Sequence, residues 1–177
     1  GYLGMHGNYA PNLNTNQCDV LIAIGMRFDD RVTGNVSKYA KQAKVIHIEI
    51  DKAEINKIIK ADVAVHADAK EALTLLTNLV EPNSHTNWIQ NFRSLNQEEY
   101  DKVTHHEFNS TGEIKMAEAI NHLSKQTNGE AILVTDVGQH QMIASRYYQF
   151  KNPRTNVTSG GAGTMGFALP AAMGAKL

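Results

Sequence analysis

Short apolar runs separated by polar segments set the pattern of the first half of the chain. Three of these runs, at residues 18–25, 43–51 and 61–68, have the length of β-strands and end at glycine or charged residues. Strands that are apolar along most of their length suit a parallel sheet that is buried on both faces. The pattern therefore predicts such a sheet, built from these three runs.

The segments that connect the predicted strands have helical character. Residues 33–43 are helix-like, with Thr33 as a candidate N-cap, and residues 51–59 indicate a short helix. Residues 69–80 carry leucines at three- and four-residue spacing, which is typical of an amphipathic helix. Strands that alternate with helices predict an α/β fold with doubly wound parallel sheets.

A second unit of the same kind is predicted after a polar stretch. Residues 81–110 carry proline, asparagine and serine in close order near their start and are interpreted as a linker. A polar helix is predicted at 88–100, and a loop at 105–113 that extends past the end of the linker. The elements then follow as helix, strand, helix, weak strand and glycine-rich turn, at 114–127, 131–136, 137–148, 154–159 and 160–166. The predicted organisation is therefore 1–80, 81–110 and 111–177.

Composition and the two chain ends indicate which partners, location and parent protein to expect. Lysine and arginine number 17 and aspartate and glutamate 18, so the net charge of −1 gives no reason to expect nucleic acid or an anionic membrane as partner. The single cysteine, Cys18, has no partner for an internal disulfide, and a reducing cytoplasm is the predicted location. No initiator methionine is present and the last residues read as an uncapped helix, so we expect an internal fragment of a longer polypeptide.

Charged residues follow each predicted strand of the first unit, where α/β sheets bind ligands. Arg27 and Arg31 can each bind a phosphate or carboxylate with both guanidinium nitrogens, and a solvated charged turn is the alternative. Glu49 and Asp68 close the next two strands, where an acid either binds a ribose diol or caps the following helix. Together these residues indicate a nucleotide site.

Two segments of the second unit have phosphate-binding character. After the strand at 131–136, Gly138 precedes a predicted helix whose first N–H groups attract a diphosphate, although His140 in a helix start more often packs or caps. Glycines 161, 163 and 166 have GxGxxG spacing, with a tight packing turn as the alternative, and Met165 lies at its tip. No metal-ligand spacing occurs, and the adjacent His105 and His106 are interpreted as an exposed loop pair.

Five segments together resemble one enzyme family. They read GMHG, GMRFDDRVTG, HIEIDKAEI, TDVGQHQM and SGGAGTMGFALPAAMGA, and their order and separations are similar to those of the acetolactate synthase (acetohydroxyacid synthase) catalytic subunit. The resemblance implies that residues 1–80 are the latter part of a central FAD-binding domain. Residues 111–177 would then begin a thiamine-diphosphate-binding domain.

The resemblance also assigns roles to individual residues. Arg31, held by Asp30, would take the carboxylate of the second substrate, and Met165 would press the thiamine diphosphate into its bent form. Further contacts to thiamine diphosphate would come from Val137, Gly138, Gln139, His140 and Gly163. Contacts to FAD would come from Met5, His6, Gly7, Gly25, Arg27, Asp29, Val32, Glu49, Ile50, Asp68 and Ala69.

The implied reaction decarboxylates pyruvate and condenses the resulting enamine with a second 2-oxo acid, pyruvate or 2-oxobutyrate, in branched-chain amino-acid biosynthesis. The family also uses Mg²⁺, whose ligands would lie outside this chain, so the isolated chain is expected to be inactive. The parent is expected to be a homodimer or tetramer, with or without a regulatory small subunit. Two alternatives stay open: another thiamine-diphosphate carboligase or oxidase, and a non-catalytic NAD-binding module.

Overall fold

The computed structural model describes residues 1–109 and 111–176 and divides the chain into two compact units. The first comprises residues 3–96 with Gly1, and the second comprises Tyr2 and the residues from Gln97 onward. The division falls inside a helix, because most of the segment interpreted as a linker is helical. The domain boundaries at residues 80 and 110 stay a prediction.

The first unit is built on a parallel sheet. Its strands are β1 (Val20–Ile24), β2 (Lys44–Glu49) and β3 (Val63–His66), hydrogen-bonded in that order. Val20 pairs with Lys44 at one end of β1, and Glu49 pairs with His66 at the far end of β2. The three predicted strands and the α/β fold class are therefore confirmed.

Only one face of β1 is covered within the described residues. Leu21 and Ala23 face the core, whose buried members are Ala23, Phe28, Tyr39, Ala40 and Val45. The alternate residues Val20, Ile22 and Ile24 are between 39% and 49% exposed. Burial on both faces, as predicted for this strand, was wrong here, because alternation places these three side chains on the face opposite the core.

Helices α1 (Tyr9–Thr15), α3 (Ala69–Thr77) and α4 (Thr86–Glu99) complete the first unit, together with the four-residue helix α2 (Asp30–Thr33). Helix α1 has no counterpart among the predictions. It accommodates Pro11 in its first turn, where the missing N–H would have no partner inside the helix. Helices α3 and α4 lie where helices were predicted.

Two predicted helices were wrong because turn chemistry interrupts them. Residues 33–43 contain only the end of α2 and a 3₁₀ turn at Val36–Lys38, since Gly34 has φ +56° and Asn35 caps the new turn. Thr33 is the last residue of α2 and not an N-cap. Residues 51–59 form turns, in which Asn56 has φ +62° and accepts the Ala61 N–H through its side chain.

The second unit has a smaller parallel sheet. Strand β4 (Leu133–Thr135) pairs with β5 (Asn156–Thr158), and Thr135 lies opposite Thr158. A π-helical turn at Tyr100–Thr104 leads into α5 (His105–Phe108), so the predicted loop at 105–113 was wrong for its first four residues, while residues 109 and 111–113 lie outside helices and strands. The two adjacent histidines are exposed as predicted, but on a helix. The remaining helices are α6 (Met116–Gln126), α7 (Gln139–Tyr147) and α8 (Ala168–Lys176).

The core of the second unit lies between α6 and α7. Ala117 on α6 and Ala144 on α7 are each 1% exposed, and the small side chains allow the two helices to approach closely. Glu99, 7% exposed, forms an ion pair with Arg146 of α7. No helix in residues 1–109 or 111–176 combines the length and the apolar character that crossing a bilayer requires.

Candidate functional site

The carboxyl ends of the three strands of the first unit lie along one edge of the sheet. The Gly25 N–H donates to the Ile48 carbonyl at 2.9 Å, and the Ala67 N–H donates to the Glu49 carbonyl at 3.2 Å. Each strand therefore ends level with its neighbour. The charged residues that follow β1, β2 and β3 are brought to the same edge, as the sequence predicted.

The first of these segments is the arginine turn, residues 25–31. Arg27 Nη2 lies 3.4 Å from Asp29 Oδ2, and Arg31 Nη1 lies 3.2 Å from Asp30 Oδ1. The guanidinium side chains are 57% and 68% exposed. Ion pairs this exposed contribute little to stability, so their main physical effect is to orient two guanidinium groups that remain accessible to an anion.

Asp29 caps α2, whose first two residues are also the last two of the arginine turn. Its Oδ1 accepts the Arg31 N–H at 3.0 Å, which makes Asp29 the N-cap of that helix. This backbone hydrogen bond, together with the positive charges of Arg31 and Arg27, lowers the pKa of the Asp29 carboxyl below its usual value of 3.8. Asp29 is therefore a structural cap as well as a partner of Arg27.

A buried aromatic ring anchors the arginine turn from below. Phe28 is 2% exposed and packs edge-on against Tyr39 and His47, with ring centroids 6.4 Å and 5.1 Å away. Its φ of +54° places it in a region that side chains rarely adopt, at a cost of about 1–3 kcal/mol. Sequence reasoning missed Phe28, although an aromatic residue inside a charged segment was the available signal.

Glu49, the last residue of β2, and Asp68, two residues after β3, both bond to nearby backbone. Glu49 is 7% exposed, and its Oε1 accepts the N–H groups of Ile50 at 2.9 Å and Asp51 at 3.1 Å. Asp68 caps α3 by accepting the N–H groups of Lys70 and Glu71. The capping interpretation is therefore correct for Asp68, and Glu49 performs a similar function for the turn after β2.

The segment with Met5, His6 and Gly7 lies against α2. Met5 is 69% exposed, and its N–H donates to the Arg31 carbonyl at 2.7 Å. Gly4 allows this approach, because a Cβ at its φ of +99° would lie 2.7 Å from the same carbonyl oxygen. Residues of this segment and of α2, including Met5, Asp30, Arg31 and Val32, line a cavity of about 310 Å³.

The second unit presents its candidate residues at the carboxyl end of β4. Gly138 has φ +138° and precedes α7, whose first residues are Gln139 and His140. The N–H groups of residues 141 and 142 donate to the Gly138 carbonyl, so those of Gln139 and His140 lie ahead of the first helical hydrogen bond. Both side chains are exposed, and this helix start can receive an anionic group.

The glycine turn, residues 159–166, lies at the same end of the small sheet. Its backbone N–H groups are held at Gly163 by the Ser159 carbonyl, at Thr164 by Ser159 Oγ, and at Gly166 by Asp136, with distances between 2.9 and 3.0 Å. Met165 lies between the last two bonded groups and is 82% exposed. The structure therefore presents Met165 on a braced turn, at the strand end where α7 begins.

Asp136 is the residue that links the two segments of the second unit. One of its oxygens accepts the Val137 N–H at 2.9 Å, and both accept the Gly166 N–H. Neither Asp136 nor Ser159 was identified from the sequence as a site residue. Their contacts join segments that are distant along the chain, and no local pattern predicts them.

Within the described residues, no three histidine, cysteine, aspartate or glutamate side chains form a candidate metal site.

Comparison with protein families places the two sets of residues in one kind of enzyme. The family described as thiamine pyrophosphate enzyme, central domain, matches residues 1–76, and the one described as thiamine pyrophosphate enzyme, C-terminal TPP binding domain, matches residues 136–177. The two matched segments belong to thiamine pyrophosphate enzyme domains. The arginine turn lies in the central-domain match, and Gly138 and the glycine turn lie in the C-terminal match.

Among thiamine pyrophosphate enzymes, the chain is similar to acetolactate synthases over its whole length. It is 46% identical to the acetolactate synthase large subunit of Lactococcus lactis and 42% identical to the isozyme 3 large subunit of Escherichia coli, with all of the chain covered in each case. It is 44% identical to acetolactate synthase 1, chloroplastic, of Nicotiana tabacum over 99% of the chain. The chain spans 26% to 31% of the length of these relatives.

Proposed function

We propose that this chain is part of an acetolactate synthase large subunit and contributes to two cofactor sites and one substrate site. The main support is the braced presentation of Met165 beside the start of α7, in a chain whose relatives carry that name. The parent would decarboxylate pyruvate and join the product to pyruvate or 2-oxobutyrate, as a step of branched-chain amino-acid biosynthesis.

The second unit would hold thiamine diphosphate. When bound, this cofactor supplies the electron sink for decarboxylation. The fit rests on the helix start after Gly138, whose N–H groups and partial positive charge suit a diphosphate, and on Met165, whose exposed thioether side chain suits an aromatic ring. The proposed contacts are Val137, Gly138, Gln139, His140, Gly163 and Met165.

The first unit would hold FAD along its sheet edge. Arg27 offers an exposed guanidinium for a phosphate, and Glu49 lies at the end of β2, where a ribose diol is often bound. Asp68 caps α3 through its carboxylate. It would therefore contribute to the site through the start of that helix as well as through the carboxylate itself. The proposed contacts are Met5, His6, Gly7, Gly25, Arg27, Asp29, Val32, Glu49, Ile50, Asp68 and Ala69.

Arg31 would bind the carboxylate of the second 2-oxo acid. Asp30 orients its guanidinium, which remains two-thirds exposed, and Met5 lies next to it in the cavity of about 310 Å³. An arginine is suited to this role because its fork of donors matches both oxygens of a carboxylate. The second substrate would then be oriented by its charge, with little dependence on its alkyl chain.

The remaining elements of the proposal concern the whole parent protein. Mg²⁺ would be held with the diphosphate by residues outside this chain. The domains would divide at residues 80 and 110, and the parent would assemble as a dimer or tetramer, with or without a regulatory small subunit. A cytoplasmic location suits the single, buried Cys18, whose thiol pKa is raised by burial.

The test is made on the full-length polypeptide that contains this chain. We expect purified protein to be yellow from FAD, to require thiamine diphosphate and Mg²⁺, and to convert pyruvate to acetolactate. Bound NAD without flavin would contradict the proposal and support a nucleotide-binding module. Decarboxylation of pyruvate without a carboligation product would instead indicate another thiamine-diphosphate enzyme.

A further inference from the structure

His47 is a fully buried polar residue in the middle of an apolar strand. It lies on β2 opposite Ala23 of β1 and is 0% exposed. Burying an imidazole without hydrogen bonds is unfavourable, so its contacts identify what it does. Its role is not explained by packing alone, since an apolar residue of similar size would fill the same space.

The ring makes one hydrogen bond, and that bond reaches the arginine turn. His47 Nε2 lies 2.9 Å from the carbonyl oxygen of Met26. A carbonyl only accepts, so Nε2 carries the hydrogen and donates it. Nδ1 is buried without a partner in the part of the chain that the structure describes. The Met26 carbonyl is therefore the group that determines the orientation of the ring.

The same ring also contacts the residue on the other side of Arg27. Phe28 packs edge-on against it at 5.1 Å between centroids and is held at φ +54°. His47 thus restrains both chain neighbours of Arg27, one by a hydrogen bond and the other by packing. On its own strand, Nε2 lies 4.0 Å from Oε2 of Glu49. His47 therefore contacts the residues on both sides of Arg27 and lies close to Glu49.

We propose that His47 is a positioning residue that holds the arginine turn in the geometry that binds the phosphates of FAD. This rests on the proposed FAD site in the first unit. His47 itself would not touch the cofactor, because it is enclosed beneath the turn. Without the hydrogen bond, the Met26 carbonyl would turn toward water and carry Arg27 with it.

The experiment measures FAD affinity in the full-length polypeptide by flavin fluorescence, with thermal unfolding recorded on the apoprotein. His47→Phe keeps a buried ring against Phe28 and removes the donor. We expect the Kd for FAD to rise about tenfold, which corresponds to about 1.4 kcal/mol. His47→Gln, which can again donate an N–H, is expected to restore most of the affinity.

Val45→Ala is the matched control. Val45 lies on the same face of β2 and in the same core but is not bonded to the arginine turn, so its truncation should lower stability and leave FAD affinity unchanged. Equal losses of affinity in Val45→Ala and His47→Phe would overturn the proposal, as would unchanged affinity in a folded His47→Phe.

A second pair keeps the test decisive if His47→Phe does not fold. His47→Gln and His47→Met have side chains of similar length, with and without an N–H donor, and only the methionine variant should lose affinity. Equal affinities in this pair would also overturn the proposal. If the unsubstituted protein binds no FAD at all, the proposed FAD site fails, which is a different result from equal affinities among variants of a flavin-binding protein.

Discussion

The arginine turn and the glycine turn each present side chains at the end of a strand, and they differ in what they present and in how they are fastened. The arginine turn presents charged side chains, and its backbone is fastened by a buried ring, Phe28, below it. The glycine turn presents one apolar side chain, Met165, and its backbone is fastened by hydrogen bonds from Gly163, Thr164 and Gly166 to polar partners. The arginine turn combines a packed ring with hydrogen bonds, such as the one between His47 and the Met26 carbonyl, whereas the glycine turn is fastened by hydrogen bonds to Ser159 and Asp136.

The difference follows from what each turn presents. Charged groups need water or a ligand on their outer side, so the arginine turn is anchored on its inner side, by packing of Phe28 and by the hydrogen bond between His47 and the Met26 carbonyl. An exposed methionine gives its turn no such inward residue, and the glycines that permit its shape have no side chains to pack. Polar acceptors at Ser159 and Asp136 must therefore hold that backbone.

The largest expected effect comes from removing the packing anchor. Phe28→Ala should lower the free energy of unfolding of the full-length protein by about 3–5 kcal/mol, because it removes a buried ring and leaves a cavity. Met165→Ala should change it by less than about 0.5 kcal/mol, because that side chain is exposed. Urea denaturation of both variants tests this contrast, and similar losses would show that the two turns are anchored alike.

A charge on the arginine turn should matter more for binding than for folding. Arg31→Ala is expected to raise the KM of the second 2-oxo acid about 10- to 100-fold, the effect of losing a charge-assisted hydrogen bond to a carboxylate. Thermal stability should hardly change, because the ion pair with Asp30 is exposed. Arg93→Ala, an exposed arginine on α4, is the control, and an equal KM effect there would contradict a local role for Arg31.

On the glycine turn, the corresponding change is the loss of a backbone acceptor. Asp136→Ala should weaken thiamine diphosphate binding about tenfold, since it releases the Gly166 N–H and allows Met165 to move. Asp136→Asn keeps one acceptor and should have an intermediate effect. The measurement is the concentration of thiamine diphosphate that gives half-maximal activation. An unchanged value for the alanine variant would show that Ser159 alone is sufficient to hold the turn.

The smallest effect concerns the dependence of stability on pH. The pKa of Asp29 is below 3.8 in the folded protein, so its contribution is present above about pH 4 and is lost as the pH falls through the folded pKa. Asp29→Asn should therefore make the fall in stability below pH 4 slightly shallower, measured as Tm against pH. A steeper fall in this variant would contradict Asp29 as a cap that is favoured in its charged form.

Local signals predicted most of the elements that carry the site. The strands before the arginine turn and before Gly138 are short apolar runs, and Gly138 and the glycines around Met165 were identified as turn positions. In the structure, Gly138, Gly163 and Gly166 adopt positive φ. The capping function of Asp68 was also among the alternatives derived from sequence. These features depend on residues close together in the chain, which is why pattern reasoning identified them.

Features that depend on side chains interrupting a regular pattern were predicted less well. The expected helices at 33–43 and 51–59 are broken by Gly34 and Asn56, whose positive φ values end or prevent helical turns. Both segments have a helical composition, but one turn-forming residue in each outweighs the helix preference of its neighbours. The exposed face of β1 was missed for a different reason. Both alternating sets of side chains in this strand are apolar, so the sequence does not indicate which face of the sheet is covered.

The sequence by itself determined that two α/β units present polar or glycine-rich turns at the ends of their strands, because strand periodicity and turn chemistry act over a few residues. Only the tertiary structure decided what fastens those turns. His47 reaches Met26 and Asp136 reaches Gly166 across 21 and 30 residues of chain, and such partners are chosen by how strands and turns come together in three dimensions.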